Sequence, residues 1–339
     1  MGRVTAPGLR GLDAVAGLRG LNAVAGLRGL NAVAGLRGLN AVAGLRGLKA
    51  VAGLPPLSWS GALTRWELDP VVLVGATAAA LAYRAGCRAS GAVPAGRRAA
   101  FASGLAVTVV ALCSPVAVYG ELLFSVHMVQ HLLLSVVAAP LLVAGRPVAV
   151  VGALLDPPRR RELLRLRRAP VVGVLGHPIV AWVTFAAAGW VAHFSPLYGA
   201  ALDHPWVHVT EHALFLGSAL LFWRAVLGAA ARWRLSHPLR LLYLAVAMPQ
   251  STFLALAIWS SSRPLYPRYV EIAERWGIDA RADQRLAGGI MWVAGDLVLL
   301  GAVLAVAGAW ASHEQRVTAR REALEDDVAA LGPAASPSG

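Results

Sequence analysis

Seven stretches of this chain stay apolar for roughly the 20 residues a helix needs to cross a bilayer. They are residues 70–86, 99–119, 122–144, 174–193, 206–227, 239–260 and 286–311. Such runs cannot be hidden in a soluble core of this size, so lipid has to be the solvent. The charge content agrees: 14% of residues are Asp, Glu, Lys or Arg, against about 25% in a soluble domain. The expected fold is all-α, a polytopic membrane protein built as a seven-transmembrane helix bundle. The first run is short and rich in alanine. Trp59, Trp66, Trp206, Trp259 and Trp310 lie near run ends, where an aromatic belt would put them.

The net charge of +13 would suit nucleic acid in a soluble protein. Here the arginines fall between apolar runs, and no basic run is interleaved with aromatics, so no nucleic-acid partner is expected. Arg84, Arg88, Arg97 and Arg98 occupy one connection. Arg146, Arg159, Arg160, Arg161, Arg165, Arg167 and Arg168 occupy another, and Arg224, Arg232, Arg234 and Arg240 a third. The alternate connections carry Glu121, Asp203, or a mixture of both signs at 261–285. The positive-inside rule then puts the N-terminus outside and the C-terminus in the cytoplasm.

Three regions follow. Residues 1–58 form a low-complexity tail, 59–312 the membrane domain and 313–339 a cytoplasmic tail. The N-terminal tail holds five near-identical copies of RGLxAVAGL, starting at Arg10, Arg19, Arg28, Arg37 and Arg46. Two glycines per unit cost about 1 kcal/mol each in a helix, and the period is too short for a solenoid. The tail reads as disordered, or as a start codon placed too early. It lacks the layout of a signal peptide, and its positive charge opposes export.

Ionisable residues inside spans are costly and mark function by default. His127 and His131 lie on the third run, with Met128 and Gln130 between them. His193 ends the fourth. His204, His208 and His212 open the fifth, with Glu211 beside them. Residues four apart share a helix face, so these series can converge on one metal ion. Imidazole suits copper, zinc, iron and nickel, and the thioethers of Met128 and Met291 would favour Cu(I). Asp283, Asp296 and Glu211 are candidates to orient a ligand histidine or to handle protons. Cys113 could be a soft ligand but fits a small packing residue better. His177 and His237 each precede a proline and read as span boundaries. Pro140 and Pro249 are expected to kink the third and sixth spans. His208-Val-Thr-Glu211-His212 also matches the H-x-x-E-H pattern of zinc peptidases. Glu271 and Glu274 give no supporting acidic ligand, and an enzyme is not expected.

Three blocks carry a family resemblance: FSVHMVQHLLLSVVAAPLLVAGRP (124–147), HFSPLYGAALDHPWVHVTEHALFL (193–216) and DQRLAGGIMWVAGDLV (283–298). In order and content they resemble the seven-helix cytochrome c oxidase assembly factors of the CtaG type, over about residues 60–312. The resemblance implies a bacterial plasma-membrane protein that supports maturation of the copper centres of a haem-copper oxidase. Its partners would be oxidase subunits and membrane lipid. It carries over His127, Met128 and His131, then His204, His208 and His212, then Asp283, Met291 and Trp292. A bis-histidine haem protein moving electrons is the alternative reading, and zinc is a further possible occupant.

Overall fold

The computed structural model describes residues 64–228 and 233–330. The nonapeptide repeat and the expected boundary at residue 58 lie outside the described residues. Within them the chain is wholly helical. In order come α1 (Pro70–Ala89), α2 (Ala95–Cys113), α3 (Pro115–Gly120) and α4 (Phe124–Leu132). A π-helical turn (Leu133–Ala138) leads into α5 (Ala139–Ala144), α6 (Pro147–Val151) and a 3-10 turn (Gly152–Leu154). Then follow α7 (Pro157–Arg168), α8 (Pro170–Leu175), α9 (Pro178–Phe194), α10 (Pro196–Asp203) and α11 (Pro205–Val226). The last are α12 (His237–Ser260), α13 (Pro267–Trp276) and α14 (Ala280–Ala330).

Proline sets much of this punctuation. Pro70, Pro115, Pro147, Pro157, Pro170, Pro178, Pro196, Pro205 and Pro267 each open a helix. There the missing N–H costs nothing and the fixed φ suits the first turn. Asp69, Ser114, Asp156 and Ser195 precede four of them and accept hydrogen bonds from the first-turn amides.

Helices stand at all seven expected places. Five are long and apolar enough to cross a membrane: α1, α2, the composite Phe124–Leu154, α12 and α14. A sixth span is counted if α9 and α10, bent by 70° at Ser195, act together. The protein is therefore a polytopic helical membrane protein with five to six such spans. The fifth expected run is α11, whose 22 residues reach about 33 Å at 1.5 Å per residue. Its first half carries His208, Thr210, Glu211 and His212, and so it has the length of a span without the apolarity. The second run also ends earlier than residue 119, because Ser114 adopts extended backbone before Pro115 and starts a new short helix.

The π-helical turn sits just before Pro140. Ala139 N–H bonds Leu134 O rather than the carbonyl four residues back, and the Trp223 indole donates to Ser135 O at 2.8 Å. The local widening places these bonds where Pro140 has no N–H to give. Below it, towards the arginine-bearing end, Val136, Ala139, Ala219, Phe222, Trp223, Leu244 and Leu299 fill one apolar core. Towards the histidine-bearing end a second core joins Phe124, Met128, Tyr198, Ile258, Tyr266, Tyr269 and Met291. α12 and α14 are in close contact at Gly288, where a Cβ would lie 2.9 Å from Ala255 O and 2.8 Å from Trp259 Cβ.

Candidate metal centre

Two helices supply the centre. α4 begins at Phe124, and its first amides are capped from far away in sequence. Asp283, at the start of α14, accepts from Phe124 N–H at 2.7 Å and from the Ser125 amide and hydroxyl. This fixes the first turn of α4 and with it the ring of His127, one turn on. His127 and His131 then project from the same face, and their Nε2 atoms are 2.8 Å apart. On α11, His208 and His212 repeat that spacing, with ring centroids 4.3 Å apart. The pairs face each other. Ring centroids are 5.5 Å apart for His127–His208, 6.2 Å for His127–His212 and 5.9 Å for His131–His212. Glu211 enters between them, its carboxylate 3.8 Å from His127 Nε2.

The chemistry of this group lies in what it lacks. His127 Nδ1, His131 Nδ1, His208 Nε2, His212 Nε2 and both Glu211 carboxylate oxygens are buried with no hydrogen-bond partner among the described residues. Orphan polar atoms of this kind cost about 1–3 kcal/mol each, and a cation bound among them would offset that cost. Two overlapping triads have the spacing for it. In His127–His208–His212 and in His127–His131–Glu211, one donor atom from each residue lies within 4.8 Å of the others. The buried His/Glu cluster can thus hold a metal ion, and His127 belongs to both arrangements. Gln130, between the two α4 histidines, is spent on packing: its amide donates to Ala111 O of α2 at 2.9 Å.

An aromatic cap closes the group on one side. Tyr269 of α13 donates to Gly120 O at 2.9 Å, and Tyr198 is 3.1 Å from the Tyr269 hydroxyl. The Tyr198 ring is 5.1 Å from His127. Nothing in the sequence singled out these tyrosines, because α10 and α13 are brought over the site only by the bend at Ser195 and by the return of the chain into α14.

The remaining sequence candidates fall elsewhere. His204 is exposed and is the N-cap of α11, with extended backbone forced by Pro205. The i,i+4 relation to His208 applies inside a helix, and His204 is outside it, beside Trp206. Asp283 caps α4 rather than contacting a histidine. Asp296 accepts from Thr252 at 2.7 Å on the α12–α14 contact. Met291 joins Met128 in the apolar core. Cys113 is fully buried in packing. His193, which the sequence placed at a span end without a ligand role, is buried against the cluster. Its ring is 6.0 Å from His131.

The comparisons with known proteins bear on this geometry. No solved structure matches the chain. Uncharacterized proteins of Mycobacterium bovis and Mycobacterium tuberculosis are each 32% identical over 277 residues, covering 78% of this chain and 42% of theirs. One from Mycobacterium leprae is 29% identical over 280 residues, with the same coverage. The chain therefore spans less than half the length of these relatives. The family profile of the cytochrome c oxidase caa3 assembly factor matches residues 78–313, taking in α2, the histidine helices α4 and α11, and α14 as far as His313. With that match over more than half its length, enclosing every residue of the metal centre, the chain belongs to the cytochrome c oxidase caa3 assembly factor family.

Proposed function

We propose that this protein holds copper in the His/Glu cluster and passes it on during maturation of a haem-copper oxidase, without catalysing a reaction. The observation that supports this most is the set of buried atoms on His127, His131, His208, His212 and Glu211 that have no hydrogen-bond partner among the described residues. Buried polar atoms are normally partnered, and an ion bound among these would serve them together. Nitrogen-rich, carboxylate-poor coordination suits copper, and a labile choice between two triads sharing His127 suits a carrier better than a permanent structural site. Family membership supports an oxidase as the destination; on this reading its copper centres are what is served and its subunits are the partners.

The arginine pattern supports an orientation with the cluster near the outer face, the N-terminus outside and the C-terminus in the cytoplasm. Reporter fusions should put residues 146–168 and 224–240 in the cytoplasm and 194–205 outside. A cytoplasmic signal at 194–205 would invert the proposal. For the copper role, bound copper, membrane level and oxidase activity are measured in cells carrying His131→Ala or His212→Ala. Loss of copper and of oxidase activity at normal protein level is expected. Full copper and full activity in both would remove the site.

A further inference from the structure

Beside the His/Glu cluster lies a contact that its two triads do not use. His193, at the end of α9, places Nδ1 2.7 Å from Gly189 O. A carbonyl oxygen only accepts, so Nδ1 carries the hydrogen of the neutral ring. Nε2 then presents its lone pair, and it faces Met128 Sδ at 3.3 Å. A thioether sulfur has no hydrogen to donate. Two electron-pair donors therefore meet, each buried, with no proton between them. A backbone carbonyl holding one ring nitrogen so that the other is free is the usual support of a metal-ligating histidine.

The surroundings narrow the ion. His193 is flanked by Tyr198 at 5.8 Å, by Phe215 at 6.0 Å and by Phe124 at 6.4 Å between ring centroids. Met128 is fully buried. Among the described residues no carboxylate forms a hydrogen bond or ion pair with either side chain, which disfavours hard ions. Buried surroundings offering one imidazole and one thioether suit a soft, low-charge ion, and thioethers favour Cu(I). His131 links this pair to the main cluster: its ring is 6.0 Å from His193 and 4.3 Å from His127, and its Nδ1 has no partner.

We propose that His193 and Met128 form a second metal site, selective for Cu(I), which exchanges the ion with the His/Glu cluster through His131. The proposal rests on the copper-handling reading above and deepens it: the cluster accepts nitrogen-seeking ions in general, and the N,S pair adds the preference for the cuprous state. Transfer is ligand exchange alone, with no change in copper oxidation state.

The test uses the purified full chain, loaded anaerobically with Cu(I) or, separately, with Zn(II). Metal content and copper X-ray absorption are the readouts. Wild type should show sulfur as well as nitrogen around copper. Met128→Leu keeps the shape of the side chain, and it should lose the sulfur signal and about half the bound Cu(I) while keeping Zn(II). His193→Gln should lose the same half. His127→Ala, which removes the residue common to both triads, should lose Zn(II) and keep the sulfur-bound copper. If Met128→Leu retains the sulfur signal, or if Met128→Leu and His193→Gln lose Zn(II) together with Cu(I), there is no separate site. Nitrogen-only copper in wild type, lost in His127→Ala, would retain the cluster and remove the N,S site. Loss of copper in Met128→Leu, with Zn(II) and copper intact in His127→Ala, would do the reverse.

Discussion

Histidines stand at both ends of this bundle, and the two groups live in different surroundings. At one end His127, His131, His193 and Glu211 are buried between helices, and His208 and His212 are partly buried beside them with their Nε2 atoms inaccessible. At the other, His237 and His313 lie 5.5 Å apart at the end of an open cavity lined by Trp223, Arg240 and Val306, and His177 leans on Trp233. His313 is exposed. The difference teaches that proximity of imidazoles is a weak signal by itself. Water can satisfy a surface pair at little cost, whereas a buried nitrogen without a partner carries a standing penalty. Single atoms of this kind occur elsewhere too, at Trp182, Tyr243 and Asp296; what marks the buried end is that several converge within reach of one ion.

The sharpest way to break the comparison is to exchange the ends in a mutation series. His131→Ala and His212→Ala should each remove a large share of the copper bound by the purified protein. His237→Ala and His177→Ala should remove little, as measured by metal analysis of the same preparations. Equal losses at both ends would mean that burial does not distinguish the two groups.

A second prediction concerns the frame that holds the buried end. Gly288 has no room for a side chain against Ala255 and Trp259, while neighbouring Gly289 has nothing within 4 Å of a built Cβ. Gly288→Val should therefore cost about 1–3 kcal/mol or more by overpacking and lower the yield of folded protein in the membrane. Gly289→Ala should leave thermal stability in detergent nearly unchanged. Similar behaviour of the two would show that α12 and α14 are not in close contact there.

A third sharpens the link between α14 and the α4 histidines. Asp283→Ala removes the cap on the Phe124 and Ser125 amides. A lost N-cap costs about 0.5–2 kcal/mol, so the melting temperature should fall modestly. Copper affinity should fall too, because the first turn of α4 loosens under His127. Asp283→Asn, which keeps an acceptor oxygen, should recover much of both. Recovery of stability without recovery of affinity would separate the cap from the site.

The smallest effect is one of pH. Glu121, in the connection before α4, has its carboxyl pushed up to about 7 by burial and by repulsion from Glu67, against a lowering pull from Arg268. The folded state thus holds this proton more tightly than the unfolded chain does. Stability on this account is greatest at low pH and is lost as pH rises from the ordinary 4.5 towards 7. Glu121→Gln should raise the melting temperature slightly at pH 8 and leave it unchanged near pH 4. A constant offset across that range would mean the carboxyl does not titrate as its surroundings suggest.

What the sequence determined by itself follows from periodicity and solvent. Apolar length required membrane helices. The helical repeat put His127 with His131 and His208 with His212, and the three motif blocks identified the family. These are local properties, carried by spacing along one chain segment. Tertiary structure decided the rest, because it depends on which helices meet. His204 drops out because Pro205 starts the helix one residue too late to include it. Asp283 turns from a neighbour of the site into the cap of α4, 158 residues away from Ser125 in sequence. Asp296 pairs with Thr252 across the α12–α14 contact. His193 and Met128, separated by 65 residues, are brought lone pair to lone pair only by the packing of α9 against its neighbours, and no spacing rule on a single helix encodes that meeting.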